Sequence, residues 1–131
     1  MTQRPLDYGS SLGNSERRKS RRVVGIAVGV AAGFAVTLPA LFLAVMSAGA
    51  GHGDYAFARG LFPVPMCIAV YLTDSIGVSS LVLACLQFPL YGATIGYFAA
   101  TSRKALVIAV SSIAFGHLVA FAACSGSSAF S

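Results

Sequence analysis

The sequence predicts an all-α integral membrane protein with three transmembrane helices and a short interfacial or re-entrant segment between the first and second. Three observations carry this. Hydrophobic residues make up 56% of the chain and charged residues only 10%, against roughly 25% charged in a soluble domain. A fold in water would lack the polar surface to cover its core, and the mean hydropathy is correspondingly high, +0.79. The charges also avoid three long runs, Val23 to Gly53, Ser75 to Ser102, and Ala105 onward. Each run exceeds the ~20 apolar residues that cross a bilayer.

Residues 1–22 are polar and basic, with glycine, serine and asparagine scattered through SSLGNSERRKS. No apolar periodicity is visible there, so a disordered cytoplasmic tail is expected. Residues 23–124 form the membrane domain. Its first span is expected over 23–48. A cleaved signal peptide is the rival reading, but the apolar stretch far exceeds the ~7 to 15 residues of a signal core. Pro39 removes one helical donor and should kink this span, with Thr37 placed to help satisfy the freed carbonyl.

Residues 49–75 are expected outside the membrane or dipping into it. Gly49 to Gly60 reads as a loop. Leu61 to Leu72 is apolar but too short to span, and Pro63 and Pro65 suit an extended entry or a first helical turn. Thr73 and Asp74 then look like caps for the second span, over 76–100, which holds Pro89. Thr101 to Lys104 is a basic turn, 105–124 the third span, and 125–131 a short tail.

Basic residues flanking membrane helices set orientation. Arg4, Arg17, Arg18, Lys19, Arg21 and Arg22 precede the first span, and Arg103 and Lys104 lie between the second and third. Three spans put both groups on one side, read as the cytoplasm; a fourth span through Leu61–Leu72 would separate them. The N-terminus is therefore expected inside and the C-terminus outside. The alanine and glycine richness suggests a bacterial inner membrane. The basic cluster is read as a topology signal touching anionic lipid rather than a nucleic-acid site, so the lipid bilayer is the expected partner and nucleic acid is not.

Small residues recur four apart. Gly25, Gly29 and Gly33 line one face of the first span, Gly92 and Gly96 the second, and Ser112, Gly116, Ala120 and Cys124 the third. Such stripes let helix backbones approach closely. Packing within one chain is the expected use, with room left for a homo-oligomer or a larger membrane complex.

Polar groups within the spans are few. Gln87 lies thirteen residues before Ala100, and His117 thirteen after Lys104. In an antiparallel hairpin both would sit ~20 Å from the cytoplasmic edge. Tyr91 is one turn from Gln87, so a hydrogen-bonded cluster of Gln87, Tyr91 and His117 is expected. Its simplest role is an interhelical clasp; a proton or cofactor site is the sharper one.

No acid lies within any span, and no zinc-protease, nucleophile-elbow or phosphate-loop motif occurs. Neither an enzyme nor a cofactor is expected. In the outer loop, His52, Asp54 and Arg59 form a candidate outer-face site. His52 and Asp54 offer two ligands, too few for a metal. Cys67 and Cys124 should lie at similar depth near the outer surface, where an oxidising compartment would allow a disulfide. The leading expectation is a non-enzymatic accessory or structural subunit acting through helix contacts. The alternatives are a small oligomeric transport or pore-forming protein, and a redox or metal-binding subunit using His117 or His52.

Overall fold

A computed structural model describes residues 8–49, 55–73 and 76–125. Its elements are helices α1 (Tyr8–Ala48), α2 (Ala56–Leu61), α3 (Pro63–Ile68), α4 (Val78–Ala99) and α5 (Arg103–Ser125), with a π-helical turn at Ala69–Thr73 after α3. No strand occurs among the described residues. Helices α1, α4 and α5 are each long and apolar enough to cross a membrane. Their outward surfaces carry large apolar side chains, including Leu38 at 73% exposed, Val78 at 79% and Phe115 at 71%. Apolar exposure on that scale is untenable in water and ordinary against lipid. The chain is a multi-pass membrane protein.

The first helix differs most from expectation. It begins at Tyr8 rather than Val23, so residues 8–22 are helical and not a disordered tail; residues 1–7 lie outside the described ones. Glu16 to Lys19, Arg21 and Arg22 are good helix formers. Once the apolar span has formed its turns, each further residue needs only propagation, without a new nucleus. At ~1.5 Å per residue, 41 residues give a helix about 60 Å long. Its basic first turns project beyond the end of α4.

Pro39 does not terminate α1. Thr37 donates its hydroxyl to the Gly33 carbonyl at 2.8 Å and not to that of Ala35, which Pro39 deprives of its usual donor. The span boundaries otherwise move by one or two residues. The cap of α4 is Gly77, in extended conformation, where Thr73 and Asp74 were expected; Asp74 lies outside the described residues. Ser102 caps α5, its hydroxyl accepting from the Ala105 amide at 3.1 Å.

Glycine sets how α1 meets α4. The two helices run antiparallel, with Gly25 opposite Gly96, Gly29 opposite Gly92 and Gly33 opposite Phe88. A Cβ at Gly29 would fall on the Gly92 carbonyl, and one at Gly25 on that of Gly96. Backbone rests directly on backbone, a contact only glycine permits. Arg22 lies over the Tyr97 ring, 5.4 Å from its centroid, at the same end as Arg103 and Lys104. Both basic groups thus share one end of the bundle. Helix α5 packs on α4 and on α3, and keeps only Ala109 and Cys124 buried.

The segment between the first two spans folds back into the bundle. Part of the expected loop is helical, since Ala56–Gly60 belongs to α2. The short helices wedge between α1, α4 and α5 and bury Ala58, Phe62, Pro63, Pro65 and Met66. This packing suits the interfacial or re-entrant segment that the sequence allowed.

Substitution at the glycine seam tests this packing. Gly29→Leu should destabilise the protein in detergent by about 1–3 kcal/mol, the usual cost of overpacking. Gly116→Leu should leave the monomer's thermal unfolding unchanged, because nothing lies within 4 Å of a Cβ there.

Candidate functional site

The site forms where α2 gives way to α3. Phe62 breaks the helix with φ −127 and ψ 54. Pro63 and Pro65 follow and have no N–H. In an unbroken helix Pro65 would serve the Leu61 carbonyl; as proline it cannot. A carbonyl left bare at membrane depth costs several kcal/mol, because no water replaces the lost partner.

Two side chains donate to carbonyls at this break, Gln87 to the one that Pro65 cannot serve and His117 to its neighbour. Gln87 Nε2 donates to the Leu61 carbonyl at 3.0 Å. His117 Nε2 lies 2.9 Å from the Gly60 carbonyl; because a carbonyl only accepts, that nitrogen carries the proton. Adjacent carbonyls are thus held from opposite sides, by α4 and by α5. Gln87 and His117 are level in the bundle, as their spacing implied.

The expected cluster of Gln87, Tyr91 and His117 assembles with a different bonding pattern. The hydrogen bonds of Gln87 and His117 run to the backbone of the wedge and not to each other. Tyr91 contributes its ring, edge-on to His117 at 6.2 Å. Phe88 meets Tyr91 at 6.2 Å and Phe62 at 5.4 Å, both edge-on. These rings pack beside the turn and partly cover its hydrogen bonds. Gln87 is 6% exposed, and its Oε1 has no hydrogen-bond partner among the described residues.

A second set of bonds fixes the outer end of the wedge to α5. Cys67 donates to the Ala120 carbonyl at 3.1 Å, and Tyr71 Oη to that of Ala123 at 2.9 Å. Ala123 belongs to the last turn of α5, whose carbonyls lack helical donors. Tyr71 is a participant the sequence reading missed. Its spacing of four from Cys67 was the available signal, since it places both side chains on one helical face.

Cys67 and Cys124 do come together. Both are free thiols, in side-chain hydrogen-bond contact, and Arg59 lies within electrostatic range of Cys124. His52 and Asp54 of the proposed outer-face site lie outside the described residues. No group of three or more His, Cys, Asp or Glu side chains that could hold a metal occurs among the described residues.

The small-residue stripe of α5 divides. Cys124 is fully buried and the Ala120 backbone is engaged by Cys67, whereas Ser112 and Gly116 are exposed.

No protein-family model matches this chain, and no curated protein or solved structure is significantly similar to it.

The clasp predicts non-additive losses. Gln87→Leu and His117→Leu should each destabilise the protein by about 0.6–2 kcal/mol in detergent. The double variant should cost less than the sum, because both hold one turn; strict additivity would mean that the two bonds act independently. The thiols give a second expectation. Mild oxidation followed by mass tagging should protect Cys67 and Cys124 and leave Cys85 reactive, whereas three tagged thiols would place the two sulfurs out of bonding reach.

Proposed function

We propose that this protein is a non-enzymatic accessory or structural subunit that joins another membrane protein, or a second copy of itself, through α5. The observation behind this reading is the contrast between the glycines. Gly25, Gly29, Gly33, Gly92 and Gly96 each have another helix's backbone against them, while Gly116 meets nothing within 4 Å. Ser112, one turn earlier, is exposed too. A small-residue face is suited to a close helix partner, and lipid gains little from it.

The orientation follows from charge. The basic end, holding Arg17 to Arg22 with Arg103 and Lys104, faces the cytoplasm under the positive-inside tendency. The re-entrant wedge then opens to the outer side, which in a bacterial inner membrane is the periplasm. There the Cys67–Cys124 pair would meet an oxidising compartment.

A small transport or pore-forming protein is the second reading. It draws on the buried, unpartnered Gln87 Oε1 beside a re-entrant turn at mid-depth. Intramembrane polar groups of this kind often mark a permeation path. Proton or ion flux into liposomes separates the two readings.

Ser112→Cys should give a specific α5 cross-link in native membranes, and Gly116→Leu should abolish it while the monomer remains folded. Cross-linking at Ser112 that is unaffected by Gly116→Leu would argue against this docking face.

A further inference from the structure

An open groove of about 960 Å³ lies between α1 and α4, reaching Ile113 of α5. Its volume is at the upper end of the ~300–1,000 Å³ typical of ligand sites. Arg21 stands at its mouth, and Val28, Ala32, Tyr91 and Ile95 line its walls. Phe88 and Tyr91 bound it at mid-depth, where they pack beneath the re-entrant turn. The wedge fills the space between the helices at the outer end, and no element among the described residues does so at the basic end.

Polarity divides the groove along its length. Below Arg21 its lining is almost wholly apolar. At and above Arg21 the same face of α1 carries Arg18, Arg17 and Asn14, which sit three, four and seven residues away. Arg22, the neighbouring cation, is directed elsewhere, over the Tyr97 ring. The groove thus has a cationic mouth and a greasy shaft.

Its length fits one leaflet. Arg21 to Val36 spans fifteen residues, or about 22 Å of helix. Half of a bilayer of ~40–45 Å with its headgroups is about the same. An occupant must present a negative group at the interface and an apolar chain reaching the midplane.

We infer that this groove is a binding site for a single anionic phospholipid of the leaflet at the basic end. The phosphate lies at Arg21, supported by Arg17 and Arg18, and one acyl chain lies along the groove toward Tyr91. The inference stands on the groove's shape and charge and is independent of α5 docking. Bulk attraction of basic residues to anionic lipid would need only the arginines; a bound lipid also needs the shaft.

The full-length protein, delipidated in mild detergent and titrated with phosphatidylglycerol or phosphatidylcholine, would be read by native mass spectrometry. The wild type should hold one phosphatidylglycerol and bind phosphatidylcholine at least tenfold more weakly. Arg21→Gln should erase most of that preference. Ala32→Phe, which fills the shaft and leaves every arginine in place, should cut retention of either lipid at least tenfold. Val28→Phe makes the same test should Ala32→Phe fail to fold by circular dichroism. Equal binding of the two lipids by the wild type, or undiminished retention in the folded shaft-filling variant, would overturn the inference. Displacement by excess inorganic phosphate would also do so, since it would mark a surface anion site that makes no use of the chain.

Discussion

Direct backbone contact between α1 and α4 governs the rest of the architecture. In lipid there is no hydrophobic drive between apolar helices, so association depends on dispersion contacts and on polar bonds that lipid cannot offer. Glycines at 25, 29 and 33 bring α1 against Gly96, Gly92 and Phe88 in one antiparallel register. That register brings the basic ends together, places Arg22 over Tyr97, and fixes Gln87 at the depth where the re-entrant turn arrives. A side chain at any of these glycines would separate the helices and displace the elements that depend on their spacing.

The wedge addresses a second membrane constraint. Irregular backbone survives at depth only when protein supplies its hydrogen bonds. Pro65 withholds the donor that the Leu61 carbonyl would have and Gln87 replaces it, while His117 holds the neighbouring Gly60 carbonyl from another helix. Intramembrane polar residues usually invite a functional reading. Here a donor of each is committed to structure, and the Gln87 carbonyl oxygen is buried without a partner among the described residues. Cys67 and Tyr71 repeat the solution nearer the surface, against the end of α5. Four side-chain donors thus hold a segment too short to cross the membrane.

Filling one half of the bundle leaves the other half open. The wedge separates α1 from α5 at the outer end, and toward the basic end the groove stays open along α1 and α4, with Ile113 of α5 at its edge. The groove and the wedge are consequences of the same spacing. The exposed inner part of α5 arises similarly: its outer turns are occupied by the wedge, and Ser112 and Gly116 have no counterpart among the described residues.

Three spans, their positions and the shared side of the basic clusters were legible in the sequence, because length, hydropathy and charge act locally and need no neighbour. The glycine spacing also identified which faces could pack, and equal spacing from the basic turn put Gln87 level with His117. Sequence alone misplaced the start of α1, since helix propagation into a polar stretch depends on the span behind it. It also assumed that Gln87 and His117 would bond each other. Their partners are the Gly60 and Leu61 carbonyls, which any residue possesses and no composition reveals. The missing N–H of Pro65 left the Leu61 carbonyl in need of a donor; only the packing of α2 and α3 between the spans decided that Gln87 would meet it.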